Sequence, residues 1–91
     1  MLILVSYDIP DDRRRTKLAH TLKDFGQRVQ YSVFECLLAE DQVAHLSARV
    51  AKLADPAEDS VRIYRLCANC VARVEIQGLG KVTEDPEILF L

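Results

Sequence analysis

The chain opens on the run MLILVS, in which Ser6 is the single polar residue. An apolar run of this length is typical of a strand buried on both faces, and Ile9-Pro10-Asp11-Asp12 supplies the turn that ends it. The run therefore predicts a central strand over residues 1–6. Asp8 therefore sits at the carboxyl end of a central strand, which is where open α/β sheets tend to place their ligands.

Four cationic side chains follow Asp8 closely: Arg13, Arg14, Arg15 and Lys17. A carboxylate beside such a cluster favours a site for phosphate groups and a hard metal ion. The same residues also fit a simpler interpretation, in which Asp8 caps a turn and the cations form the solvated face of a helix. Both interpretations remain open from this stretch alone.

The first predicted helix begins after the turn, because the side chain of Asp11 or Asp12 can accept hydrogen bonds from its free N–H groups. Its apolar stripe consists of Leu18, Leu22 and Phe25. Gly26 is predicted to end it, since glycine tolerates the left-handed conformation that helix ends often need.

Three further segments have the composition of strands: residues 28–38, 61–66 and 70–77. The first is long for one strand, and a bend near Tyr31-Ser32 would divide it into two. A second helix precedes the 61–66 strand. It starts near Ala39, ends before Asp55-Pro56, and has an apolar stripe of Val43, Leu46, Val50 and Leu53.

The element order β-α-β(β)-α-β-β fits an α+β, ferredoxin-like βαββαβ sandwich with an extra C-terminal strand. Two helices would cover one face of the sheet. Because the first strand has no polar face, the other sheet face should be covered too, and a second copy of the chain is the economical cover. The sequence thus predicts a homodimer of a domain over residues 1–80, with residues 81–91 as a docking tail.

The net charge of −2 argues against a wholly basic nucleic-acid binder, but the charge is uneven. Residues 11–28 hold six Lys/Arg against three Asp, which allows a local phosphate-binding surface. No apolar stretch is long enough for a membrane span, and the apolar start lacks the features of a secretion signal. Three cysteines without an export signal then predict reduced thiols and a cytoplasmic protein.

Cys67 and Cys70 have the CxxC spacing found in zinc sites and redox motifs. Structural zinc normally has four ligands, and one CxxC motif supplies two. A zinc site would therefore need cysteines from two copies of the chain. We expect no structural zinc here, and two partly buried, reduced thiols instead.

The segments Tyr7-Asp8-Ile9 and Gly26-x-Arg28-Val29-Gln30-x-Ser32-Val33-Phe34-Glu35, with the Arg-rich helix start between them, resemble the Cas-two family of CRISPR-associated proteins. The resemblance runs from Met1 to about Gly78. It implies a ferredoxin-like homodimer that takes part in spacer acquisition with the Cas-one integrase, in antiviral defence. Some members of that family act as magnesium-dependent nucleases on RNA or DNA, and others act as scaffolds.

The resemblance also implies roles for individual residues. Asp8 is implied as the catalytic carboxylate that binds Mg²⁺. The implied nucleic-acid contacts are Tyr7, Arg14, Arg15, Lys17, Arg28, Ser32 and Phe34. Phe34 fits the hydrophobic core equally well.

One carboxylate per chain is too few for two-metal hydrolysis, which needs several oxygen ligands, whereas two copies of Asp8 across a two-fold axis could share one Mg²⁺. Two functions from different classes therefore remain: a metal-dependent endonuclease acting on RNA or DNA, and a non-catalytic scaffold that binds duplex DNA. A ribonuclease toxin of similar fold is a third, by analogy of fold alone.

Overall fold

A computed structural model describes residues 1–84, in which the two longer helices pack on one face of a four-stranded antiparallel sheet. The elements in chain order are β1 (Leu2–Asp8), α1 (Asp12–Leu22), β2 (Gln27–Gln30), β3 (Val33–Leu37), α2 (Glu40–Leu53), β4 (Ser60–Leu66) and the short α3 (Ala68–Val71). The strand order is β2-β3-β1-β4, with β1 paired to both β3 and β4. This is the predicted ferredoxin-like βαββαβ arrangement.

The core lies between the sheet and the two longer helices. Ile3, Val5 and Tyr7 alternate along β1 and are all buried on the helix side, together with Phe34 and Cys36 of β3. The helices contribute Leu18, Ala19, Leu22, Val43, Leu46 and Val50. Full burial of each large aliphatic side chain stabilises the fold by about 1.5–3 kcal/mol, so these stripes are sufficient to fix both helices on this face.

Helix α1 begins as predicted, because the Asp11 side chain accepts a 2.8 Å hydrogen bond from the Arg14 backbone N–H. Its end differs from the prediction: the helix stops at Leu22, and the backbone of Gly26 is not left-handed. A Cβ on Gly26 would overlap the Glu35 carbonyl oxygen and lie 2.6 Å from the Cys36 sulfur. Glycine is needed here because the chain passes directly against β3.

The predicted bend near Tyr31-Ser32 is confirmed. These two residues form the turn between β2 and β3, and the pairing register shifts between Arg28 and Gln30. The shift increases the local twist of β2, which lies at the edge of the sheet.

The predicted strand over residues 70–77 is wrong. The chain turns into α3 directly after Cys67, because the Val71 and Ala72 N–H groups donate to the carbonyls of Cys67 and Ala68 at 3.0 and 3.1 Å. Residues 72–77 then continue without a strand. In the part of the chain that the structure describes, β4 is therefore an outer strand of the sheet.

The sheet face away from the helices, called the open face below, carries apolar side chains. Leu4 of β1 lies beside Tyr64 of β4, which is 43% exposed. Residues 81–84 cross part of this face, where the Thr83 backbone N–H donates to Glu35 at 3.0 Å. The start of the predicted tail thus contacts its own sheet, whereas residues 85–91 lie outside the described residues.

The predicted docking of that tail, the domain boundary at residue 80 and the homodimer remain predictions. None of the helices in residues 1–84 has the length and hydrophobicity needed to cross a membrane.

Candidate nucleic-acid interface and metal site

Asp8 is exposed at the carboxyl end of β1, opposite Ser60 of β4. Successive side chains of a strand point to opposite faces, so Tyr7 lies against the helices and Asp8 belongs to the open face. The structure therefore places the two neighbours on different sides of the same strand.

A pocket of about 290 Å³ lies on the helix side of β1, between α1 and the β2–β3 turn. We call it the basic pocket, because its polar wall is formed by Arg15, His20, Lys23 and Arg28, together with Tyr7 and Tyr31. Among the described residues, no carboxylate lines it. Its size and charge suit one or two phosphate groups of a nucleic-acid backbone.

Two of the cations in the basic pocket are held in place by their neighbours. The Arg15 guanidinium donates to the carbonyl of Ile9 at 3.0 Å and pairs with Asp12, and this pair raises the pKa of Arg15. The Arg28 guanidinium lies 5.5 Å from the centre of the Phe34 ring, within the range of a cation–π contact. These contacts orient the charges before a ligand arrives.

Tyr7 and Ser32 connect β1 to the turn that borders the basic pocket. The Tyr7 N–H donates to the Ser32 carbonyl at 3.1 Å, and the Tyr7 hydroxyl lies 3.4 Å from the Tyr31 carbonyl. Ser32 is half-buried in this turn. Tyr7 therefore lines the pocket, whereas Ser32 holds the bordering turn to β1 without lining the pocket itself.

Arg14 occupies a different position. Its guanidinium forms two hydrogen bonds with Asp59, at 2.8 and 3.1 Å, and a third with Glu58 at 2.9 Å. The Asp59 side chain is fully buried and also accepts from the Asp55 N–H at 2.8 Å. These bonds raise the pKa of Arg14 and lower that of Asp59. Arg14 thus connects the start of α1 to the loop before β4 through an ion pair.

Phe34 and Lys17 also lie away from the basic pocket. Phe34 is 0% exposed in the centre of the core, which agrees with the second interpretation that the sequence left open for it. Its ring packs against the Arg28 guanidinium, and a role in nucleic-acid contact stays a prediction. Lys17 is exposed on the surface of α1, where a long backbone could reach it.

Lys23 and His20 also line the basic pocket and are not among the site residues predicted from the sequence. A signal was available, because Arg15, Ala19 and Lys23 are spaced four residues apart and therefore share one face of the helical turn that continues from α1. The sequence predicts Tyr31 only as a turn residue, because its position in the pocket depends on how the β2–β3 turn lies relative to α1.

Among residues 1–84, the candidate metal donor singled out above is the carboxylate of Asp8. In residues 1–84, no group of three His, Cys, Asp or Glu side chains is arranged to hold a metal ion. Magnesium in proteins commonly binds through one or two carboxylates, with water and substrate phosphates as the remaining ligands. The exposed carboxylate of Asp8 fits that pattern when two copies of the chain each supply one.

Comparison with known proteins agrees with this fold and with the sequence resemblance. The family model for CRISPR associated protein Cas2 matches residues 1–74. The CRISPR-associated endoribonuclease Cas2 3 of Synechocystis is 46% identical over 93% of this chain and 92% of its own. The CRISPR-associated endonuclease Cas2 2 of Thermus thermophilus is 46% identical over 99% of this chain and 96% of its own.

Solved structures show the same similarity. A crystal structure of a hypothetical protein from Thermus thermophilus superposes with a TM-score of 0.81 at 47% identity, covering 91% of this chain and 96% of that one. A chain of a partial Cas6-RT-Cas1–Cas2 complex superposes with a TM-score of 0.65 at 26% identity, covering 82% of this chain and 88% of that one. The chain belongs to the Cas2 family of CRISPR-associated proteins.

Proposed function

We propose that this protein is a CRISPR-associated, magnesium-dependent endonuclease that cleaves phosphodiester bonds of RNA or DNA. It would act in the cytoplasm with a Cas1 integrase during spacer acquisition. The observation that carries the proposal is the basic pocket, which lies at the end of β1 where Asp8 is exposed. Relatives named endoribonuclease and endonuclease support the reaction class, and the complex with Cas1 supports the partner.

The cationic side chains of the basic pocket would bind and position the nucleic acid. Arg15, Lys23 and Arg28 neutralise backbone phosphates in the basic pocket, and Lys17 extends the positive surface along α1. Because Arg15 and Arg28 are already oriented by Ile9, Asp12 and Phe34, little side-chain entropy is lost when a phosphate binds.

Asp8 would hold the metal ion together with its copy in a second protomer. When bound there, Mg²⁺ supplies a Lewis acid for the phosphoryl group. The open face is the surface through which two copies would meet, because it exposes Tyr64 and part of Leu4. Light scattering at micromolar concentration should give the mass of a homodimer. A stable monomer would contradict the shared site.

A non-catalytic scaffold is the second candidate, and one observation favours it. Asp8 does not line the basic pocket, so duplex DNA can be bound without any contribution from the proposed metal ligand. In that case the protein would hold DNA for the Cas1 integrase, and Asp8 would have no catalytic role.

Substitution of Asp8 by asparagine separates the two candidates. The change keeps the size of the side chain and removes the charge, so an endonuclease should lose cleavage by orders of magnitude while binding is retained or slightly tightened. Labelled RNA and duplex DNA would be tested with magnesium and with a chelator. Asp41→Asn is the matched control, because Asp41 is an exposed carboxylate in the first turn of α2.

The endonuclease proposal predicts that Asp41→Asn behaves like the unsubstituted protein. It is refuted if cleavage persists unchanged in Asp8→Asn, or if the chelator has no effect. Spacer integration that continues in Asp8→Asn, with no cleavage by either protein, would select the scaffold.

A further inference from the structure

Cys67 and Cys70 are brought together on the surface, outside the site described above. Cys67 follows β4 directly, and α3 returns Cys70 to it, so the two sulfur atoms lie 3.4 Å apart. Both side chains are exposed, which corrects the expectation of partly buried thiols. A pair that is both adjacent and accessible can react with molecules from solution.

The surroundings make the two thiols unequal. A backbone hydrogen bond from Cys70, and after it the contact between the two sulfur atoms, lower the pKa of the Cys67 thiol. The same interaction raises the pKa of Cys70. Since the thiolate is the reactive form, Cys67 is the stronger candidate for the attacking group.

Cys36 provides an internal contrast. It is fully buried in the core, and burial together with the nearby Glu35 raises its pKa to about 11. A buried thiol of high pKa reacts slowly, so the chemistry of Cys36 should be separable from that of the surface pair.

We propose that Cys67 and Cys70 form a redox-active dithiol, which small-molecule disulfides convert reversibly into an intramolecular disulfide. A disulfide bond is about 2.04 Å long, so the sulfurs must approach by about 1.4 Å from their separation of 3.4 Å. Rotation of two exposed side chains on a short helical turn can supply this movement without displacing β4.

The reaction proceeds in two exchanges. The Cys67 thiolate attacks one sulfur of the added disulfide, forming a mixed disulfide and releasing one small thiolate, which takes a proton from water. Cys70 then loses its proton and attacks the Cys67 sulfur, which forms the Cys67–Cys70 bond and releases the second thiol. Two electrons pass from the protein to the reagent, and two small thiols are produced for each protein disulfide.

The location links this chemistry to the end of the chain. Cys67 borders an apolar cavity of about 530 Å³ between Leu2, Leu66 and residues 81–84. The disulfide would close a loop at the start of the segment that leads from β4 back over the open face. Hydrogen exchange at residues 68–72 should therefore slow when the pair is oxidised, because unwinding of α3 is restricted.

The proposal can be tested on the whole chain of residues 1–91 with oxidised and reduced glutathione as the probe. After equilibration, free thiols are trapped by alkylation and counted by mass spectrometry of the intact protein. Oxidation should remove two of the three thiols together and leave Cys36 reduced. Reduced glutathione should restore both. Cys70→Ser should stop at a mixed disulfide on Cys67, whereas Cys67→Ser should react more slowly.

Three outcomes would overturn the proposal. The first is a mixed disulfide that accumulates in the unsubstituted protein without closing. The second is loss of Cys36 at the same rate as the surface pair. The third is near-stoichiometric zinc in the purified protein that protects both thiols until it is chelated, since the pair would then be a metal site shared between copies. Equal rates for the two serine variants would refute the assignment of Cys67 as the attacking thiol.

Discussion

Replacing Lys23 by glutamine removes one positive charge from the wall of the basic pocket, and nucleic-acid binding should then depend less on salt. Lys23 is chosen because it is exposed at the end of α1 and takes part in no ion pair among residues 1–84. Its removal should therefore change the charge of the pocket with little effect on stability. Arg15 and Arg28 are less suitable, because both also contact neighbouring protein groups.

The size of the effect follows from the number of cations. Arg15, Lys23 and Arg28 line the pocket, and each phosphate neutralised on duplex DNA contributes about −0.9 to the slope of log affinity against log salt. Three contacts give a slope of roughly −2.7 per protomer, or roughly −5.4 for a homodimer. Lys23→Gln removes one contact from each copy, so the slope should become shallower by about 1.8.

Fluorescence anisotropy of a labelled duplex measures this slope directly. Between about 50 and about 200 mM salt, the variant should lose roughly twelvefold less affinity than the unsubstituted protein loses. Lys52→Gln is the matched control, because Lys52 is an exposed lysine in the last turn of α2 and lies outside the pocket. An unchanged slope in Lys23→Gln, or an equal change in Lys52→Gln, would refute the assignment of the pocket as a phosphate site.

Two further predictions concern stability. Arg14 lowers the pKa of Asp59, so the ionised carboxylate stabilises the fold above the ordinary Asp pKa of about 3.9. This stabilisation is lost as the pH falls through the lowered pKa. The difference in melting temperature between the unsubstituted protein and Asp59→Asn should therefore shrink below about pH 4. Asp24→Asn, which breaks an exposed pair with Arg49, should show a much smaller difference at pH 7, and equal differences would contradict the role of Asp59. Gly26→Ala should lower the free energy of unfolding by about 1–3 kcal/mol in chemical denaturation, because the added methyl group would overlap β3. An unchanged denaturation midpoint would contradict this and show that β3 can move away.

The parts of the fold that the sequence predicts well are those in which each residue carries local information. The stripe of Val43, Leu46 and Val50 marks α2, and all three are buried against the sheet. The apolar run predicts β1, which continues past Ser6 and has Asp8 at its carboxyl end, because β4 pairs with it that far. Local pattern and tertiary packing agree in both elements.

The 70–77 segment shows where that agreement fails. Its alternation of Ala72, Val74 and Ile76 resembles a half-buried strand, but a strand also needs a partner edge. Instead, the N–H groups of Val71 and Ala72 are satisfied within α3. Pattern alone does not decide between a strand and a short helix when the apolar residues are few and small.

The candidate site was predictable only in part, since its pairings cross long stretches of chain. Arg14 looked like one more cation in a basic cluster, yet its partner Asp59 lies 45 residues away in the sequence. Asp8 and Arg15 were identified from the sequence because they lie beside a recognisable strand end. The four-residue spacing places Lys23 on the same helical face as Arg15, but only the tertiary fold brings that face beside Arg28 and Tyr31.

The alternation of β1 has a consequence for how the proposed reaction could be arranged. Tyr7 borders the basic pocket on the helix side, and Asp8 belongs to the open face, through which two copies would meet. The residues proposed to bind phosphate therefore stay outside the proposed interface, while the proposed metal ligand lies at its rim. A nucleic-acid backbone bound by Arg15 and Arg28 must pass around the end of β1 to reach Asp8. The phosphodiester bond that is cleaved would therefore not be the one whose phosphate is bound in the pocket. Substitutions in the pocket should then change affinity, and substitution of Asp8 should change the rate, each with little effect on the other.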